Sequence, residues 1–440
     1  MENEELNSRR LRRQELQAQR RREQRALLLK LIAIAAVLIV AVVALVVVLL
    51  SGREEDPQPV QTTVQTEPQV TQDTQPAETQ PPETEEPMFT EEPEEPGKTV
   101  IHIVAAGDLN ITDNVVAAGG GSQDYGPAFV DVLPLLSAGD LTILNLEGNV
   151  IGAPYGGTYK SVPQSMLVAL RRAGVDVIQM ANSCSIYNGV AGLSATLDAI
   201  QAAGLQSVGA FRDRSEFRNS GGYTIRDVNG VKVAIVAFTK GMDSMALPSG
   251  SEDCVNVLYK DYDSTYQKVD TDSIKSILKS VAEDKPDITI ALLHWGSEFN
   301  DMISPSQQTI ENLLLENGVD AIIGTHSHFV QQMKLDQQSG TFVAYSLGDF
   351  FGDGERAGTE YSVILDLKIT KDQTSGETRV ADFSYTPIFT VHEPEKPLRV
   401  VRIEDAMHAF EQNYVNRVSQ ETYDDMVYAL KRIEARINGK

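Results

Sequence analysis

Val319-Asp320-Ala321-Ile322-Ile323-Gly324-Thr325-His326-Ser327-His328 is a short apolar run that breaks at a glycine into a polar tail holding two of the chain's six histidines. A β-rich run of this length, closed by a turn residue, reads as a buried strand with a loop at its carboxyl end. The same phrase recurs on both sides. Ile288–Leu293 ends in His294-Trp295-Gly296-Ser297-Glu298, and Phe342–Tyr345 ends in Ser346-Leu347-Gly348-Asp349. Toward the N-terminus, Val231–Phe238 follows a hairpin-like Asn229-Gly230 and ends in Thr239-Lys240-Gly241. Val175–Met180 ends in Ala181-Asn182-Ser183-Cys184, Leu141–Leu144 in Asn145-Leu146-Glu147-Gly148, and Val100–Ala106 in Gly107-Asp108.

Helical patterns fall between several of these runs. Ser165–Ala173, Gly192–Ala203, Ser273–Ala282 and Pro305–Asn317 repeat apolar residues every three or four positions. Strands alternating with helices imply a layered α/β fold with largely parallel pairing. In such sheets ligands bind beyond the carboxyl ends of the strands, where the polar residues recur here. Tyr361–Thr370 and Val380–Thr390 read as a closing hairpin, and residues 403–436 as one or two amphipathic helices of structural role.

His326 and His328 stand two apart. In an extended segment both rings point to one side, a spacing suited to a single metal centre. His294, Asp108 and Glu147 end other strands, and carboxylates with imidazoles suit manganese, iron or zinc. Simpler roles stand beside these. Asp108 and Asn145 are also good local turn formers. Trp295, the only tryptophan, reads as packing. Asp349 after Gly348 reads as turn chemistry, and Glu298 as a group that orients a histidine from behind.

Taken in order, Gly107-Asp108, Asn145-Leu146-Glu147, His294-Trp295-Gly296 with Glu298, Gly324-Thr325-His326-Ser327-His328 and Tyr345-Ser346-Leu347-Gly348-Asp349 resemble the CapA family. These are poly-γ-glutamate capsule-synthesis proteins with a calcineurin-like metallophosphatase fold, and the resemblance covers roughly residues 99–390. It implies a pair of β-sheets flanked by helices and a two-metal phosphoesterase-type site. Asp108, Asn145, Glu147, His294, His326 and His328 would hold the metals. It also implies an anionic polymer or phosphoester as substrate, and other membrane-bound synthesis or export proteins as partners. One motif departs. The family's Asn-Asn-His, followed by Asp and Gly, is here Asn182-Ser183-Cys184, with Tyr187 for the Asp and Gly189 retained. In the wider superfamily the asparagine just before that histidine binds metal and the histidine serves the phosphoryl or leaving group; those positions are Ser183 and Cys184 here. Asn182, Ser183 and Cys184 therefore stand at the catalytic position, without an imidazole. Two roles stay open for Cys184: a soft thiolate ligand favouring zinc, or a space-filling thiol. Asp349 replaces the family's usual Asn.

The first hundred residues carry a different message. Every residue from Leu31 to Leu50 is Leu, Ile, Val or Ala, and about 20 helical residues span the roughly 30 Å of a bilayer core. Eight arginines precede this span, which places residues 1–30 in the cytoplasm and the rest outside. The span is too long for a signal-peptide core and lacks its small-residue cleavage site. Residues 51–97 are a Pro-, Thr-, Gln- and Glu-rich stalk, too poor in large apolar side chains to fold. Residues 98–395 form the main domain and 396–440 a C-terminal helical segment. The net charge is −24 although the first 53 residues are net positive, so the folded part is acidic and unsuited to nucleic acid. Two cysteines, Cys184 and Cys254, make no disulfide framework.

Overall fold

The computed structural model describes residues 97–354 and 356–440. The predicted tail, membrane span and stalk lie outside the described residues. Among the described residues, no helix is long and apolar enough to cross a membrane.

Fourteen strands are described. They are β1 (Lys98–Asn110), β2 (Leu141–Glu147), β3 (Val177–Gln179), β4 (Gln206–Val208), β5 (Tyr223–Val228), β6 (Val231–Thr239) and β7 (Ile288–His294), then β8 (Ala321–Thr325), β9 (Met333–Asp336), β10 (Thr341–Ala344), β11 (Asp349–Phe351), β12 (Tyr361–Asp372), β13 (Thr378–Val391) and β14 (Arg399–Arg402). They build two mixed sheets. The first runs β14-β13-β12-β1-β2-β3-β4, with β11 added beside the far end of β1; the second runs β5-β6-β7-β8-β10-β9. The order β1-β2-β3-β4 is parallel, as is β6-β7-β8-β10, so each sheet gathers its carboxyl ends at one edge.

Side-chain alternation explains the layering. On β6, Val231, Val233, Ile235 and Ala237 enter the same core as Ile101 and Ile103 of β1. Their neighbours Ala234, Val236 and Phe238 turn to the opposite face. That outer face is covered by helices Thr271–Glu283 and Pro305–Leu315. The first of these buries Ile274, Ile277, Leu278 and Val281 at three- and four-residue spacing, and Asp270 caps it by accepting from Ser273 N. Each such aliphatic chain contributes about 2 kcal/mol of burial. Helices Gln164–Arg172 and Gly189–Ala202 bury Met166, Leu167, Leu170, Leu193 and Leu197 in the first core.

Two departures from the expectations concern the later chain. The Tyr361–Val391 hairpin does not close the edge: β12 lies against β1, and β14 lies outside β13. Residues 396–440 are accordingly not purely helical. They contribute β14 before the helices Ile403–Glu411 and Gln420–Ile437.

Two glycines let the sheets' ends close on each other. A Cβ on Gly107 would stand 1.8 Å from Gly348 O, and one on Gly324 would stand 2.0 Å from Tyr345 O. Only glycine permits that approach. It lets the 345–349 loop cross both strand ends, where Asp108 N donates to Gly348 O at 3.0 Å.

Candidate metal centre

Asp108 lies past a register shift in β1, a bulge that re-aims the strand end. It pairs in register with Asn145 of β2 on one side and Asp349 of β11 on the other. Asn145 and Glu147 are two apart on β2 and so share a face. Asn145 Nδ2 donates to Asp108 Oδ1 at 2.6 Å, and the amide N of His326 donates to Asp108 Oδ2 at 2.9 Å. Asp108 is fully buried, and its carboxylate serves across the sheets, not its own turn.

From the second sheet come His294, at the end of β7, and the loop after β8. His294 Nδ1 lies 3.1 Å from Thr325 Oγ1, which leaves Nε2 to face the cleft. Across from it stand His326 Nδ1 at 2.9 Å and Glu147 Oε1 at 3.0 Å. A second trio forms beside the first: Asp108, His328 and Asp349, with His328 Nδ1 at 2.7 Å from Asp349 Oδ1 and 4.0 Å from Asp108 Oδ2. Within each trio the donor atoms lie within 4.8 Å of one another.

His326 and His328 thus enter one cleft, as their spacing suggests, but serve different trios within it. Their segment is not extended. Both adopt positive φ, 91° and 59°, which turns one ring into each trio. Non-glycine residues held in that region are strained, and such strain clusters at functional sites.

The donors fit divalent cations. Glu147 Oε1 and His326 Nε2 are buried without a hydrogen bond; the approach of Glu147 to His294 is close but lacks hydrogen-bond direction. Burial, and then the charge of Glu147, push Asp108 up to about 7. Burial also raises Glu147, but the nearby His294 and His328 charges outweigh it and hold that carboxyl at about 2. Two carboxylates in one dry site are driven apart in this way. Burial, reinforced by His294, pushes His326 well below its ordinary value. Burial opposes charge on His328 too, yet Asp349 and Glu147 win and raise it well above. A cation in each trio would replace these protons and partner the orphaned atoms.

The departed motif sits against this centre. Asn182 is fully buried; its Nδ2 donates to Asn145 Oδ1 at 3.0 Å and to Leu146 O at 2.7 Å, and its Oδ1 accepts from Cys184 N at 3.0 Å. Its amide therefore orients Asn145. Ser183 Oγ lies 3.7 Å from Cys184 Sγ. Burial first, then the charge of Glu147, push the Cys184 thiol up to about 12, so it is neutral and close enough to feel the centre. Cys184 and Cys254 are both free and buried. Tyr187 is partly exposed and donates to Thr158 O at 3.1 Å.

Some residues take other places than expected. Asp349, read as turn chemistry, is a member of the second trio. Glu298 is exposed, and the carboxylate that meets His328 is Asp349. Trp295 is packing, stacked on Tyr345 at 5.7 Å and donating to its carbonyl. Phe299, which the motifs did not single out, stacks on His328 at 5.0 Å, and half-buried Lys160 lies nearby. Lys160 sits in a glycine-rich loop with no metal-like spacing, so no sequence signal marked it.

Residues 102–353, more than half of the chain, match the family described as bacterial capsule synthesis protein PGA_cap. The Bacillus anthracis capsule biosynthesis protein CapA is 26% identical over 215 residues, 49% of this chain and 49% of that protein. The Bacillus subtilis PGA biosynthesis protein CapA is 26% identical over 277 residues, 60% of this chain and 65% of that protein. The chain thus covers less than two thirds of either relative. Among solved structures, the calcineurin-like phosphoesterase YfkN of Bacillus subtilis aligns over 78% of this chain and 98% of that one, with 16% identity and a TM-score of 0.39, too distant to bear on function. The matched segment contains all six residues of the two trios, and the chain belongs to the bacterial capsule synthesis protein family PGA_cap.

Proposed function

We propose that this is a membrane-anchored, extracellular CapA-like protein of capsular or cell-envelope polymer synthesis, of the poly-γ-glutamate type named for its relatives. On this reading the domain is calcineurin-like and its centre is of phosphoesterase type. The observation that carries the reading is the pair of adjacent buried trios, Glu147-His294-His326 and Asp108-His328-Asp349, at the meeting strand ends of two sheets. Neighbouring three-ligand sets of carboxylate and imidazole suit two manganese, iron or zinc ions. Two such ions would supply positive charge to the attacking and leaving oxygens of a phosphoester displacement.

The chain's own residues then divide the work. Asp108 faces both halves of the site, bound through one oxygen to Asn145 and through the other to the His326 backbone. Asn182 fixes Asn145, and Thr325 fixes His294. Trp295 and Tyr345 stack on each other in the core on the outer face of the second sheet. The step left unserved is protonation of the leaving group. A thiol held at about 12 gives up its proton reluctantly and carries no positive charge at neutral pH. Hydrolysis by the natural chain should therefore be slow.

That same observation favours a second reading, a protein that binds the anionic polymer or assembly partners without turnover. Bis(p-nitrophenyl) phosphate separates the two. Slow, metal-dependent release of nitrophenol that disappears in His326→Ala supports the hydrolase. Metal binding with no release over many hours supports the binder.

A further inference from the structure

A cavity of about 390 Å³ opens beside the second trio, and Asp349 lines it together with Lys160, Phe299, Arg356, Asn110 and Thr112. In an acidic domain, two cations beside a carboxylate-rich centre call for a reason. Lys160 is half-buried and held at positive φ, 45°, a conformation that costs a lysine energy. Its Nζ donates to Asn110 Oδ1 at 2.9 Å and to Ile111 O at 3.3 Å, both neutral. An ammonium has three donors, so one remains for a further acceptor. Its charge reaches inward: it opposes the burial that raises Asp349 and Cys184, and it adds to the histidine charges that hold Glu147 low. Two of the acids on the cavity wall are engaged elsewhere. Asp349 is engaged by His328, and Asp113 accepts from Gly157 N at 2.9 Å.

Arg356 stands at the exposed rim. Its guanidinium lies 3.8 Å over the Phe299 ring, and the other end of that stack is His328. The column holds the guanidinium over the ring that stacks on His328, and its edge donors can meet an oxyanion. We infer that Lys160 and Arg356 form an anion subsite beside the two trios, and that the substrate is a phosphoester carrying a second oxyanion, carboxylate or phosphate, beyond the scissile group. This rests on the trios being a two-cation phosphoester centre, and it names the substrate class of that centre.

Calorimetric titration of the full-length, manganese-loaded protein in detergent tests it with three probes. Methyl phosphate offers one anion, phosphoglycolate adds a carboxylate, and ethylene glycol bisphosphate adds a phosphate. A charge-assisted hydrogen bond predicts at least about tenfold tighter binding of one or both two-anion probes over methyl phosphate. Which of them gains most tells carboxylate from phosphate. Lys160→Met and Arg356→Gln should each pull that ratio toward one, and Lys160→Arg should keep it. Arg356 is exposed, so its variant reads the subsite even if Lys160→Met fails to fold. Equal affinity for all three probes, or a ratio unmoved in Arg356→Gln, overturns the subsite and leaves the two-cation centre standing. Absence of any metal-dependent binding of methyl phosphate overturns both.

Discussion

At the residue scale, the broken Asn-Ser-Cys motif is the sharpest test of what the site can do. Cys184→Ala removes a neutral thiol that neither bears charge nor accepts a strong hydrogen bond, and should change slow turnover by less than about threefold. Ser183→Asn with Cys184→His returns an imidazole to the centre. General acid catalysis contributes about 10²–10⁴ in rate, so a rise of at least tenfold in phosphodiester turnover is expected. A large loss in Cys184→Ala would instead make the thiol a working group. The protons of the metal-free site lead to a second prediction. Asp108 is raised to about 7 and His328 well above its ordinary value, so both hold protons near neutrality that a cation must displace. Metal affinity should therefore fall as pH drops from about 8 to about 6, with proton release on binding. A flat affinity over that range would contradict it. Asp349 shows why part of the site was illegible at this scale. A Gly-Asp pair is ordinarily turn chemistry, and only the register of β11 on β1 turns it toward His328.

At the element scale, the long apolar strands and amphipathic helices could be read from periodicity, because burial on both faces demands unbroken runs of Val, Ile and Leu. Short strands without an apolar run ahead of a polar turn could not. β4, β9, β11 and β14 have three or four residues each, and tertiary pairing alone makes them strands. The separation of His326 from His328 was hidden for a related reason: positive φ at non-glycine residues is imposed by surroundings. The C-terminal helix Gln420–Ile437, which looked purely structural, reaches the site indirectly. Arg432 and Arg436 both bond Asp301 Oδ2, at 3.0 Å and 3.2 Å. Asp301 lies two residues beyond Phe299, the ring stacked on His328. Arg436 also covers the Phe329 ring at 4.6 Å and is nearly buried. Arg436→Ala removes a shielded ion pair and a cation–π contact, and should cost about 1–3 kcal/mol in urea unfolding. It should also weaken metal binding through the loosened Phe299 loop. A change below about 0.5 kcal/mol would mean the helix merely covers the sheet.

At the scale of the whole molecule, the proposed reading has the basic residues 1–30, the apolar run 31–50 and the acidic segment 51–97 hold the domain outside the cell. Protease added to intact cells should remove residues 98–440 and spare a tag at Met1; protection of the domain would contradict that topology. The two trios share one cleft, and sequence spacing alone did not divide its histidines between them. Because His326 and His328 serve different trios, each should govern a different ion. Elemental analysis of the purified protein after manganese or zinc loading and desalting should give two ions per chain. His326→Ala and His328→Ala should each give one, and the double variant none. A folded natural chain that retains no divalent metal, or single variants that both retain two ions, would contradict the two-cation centre.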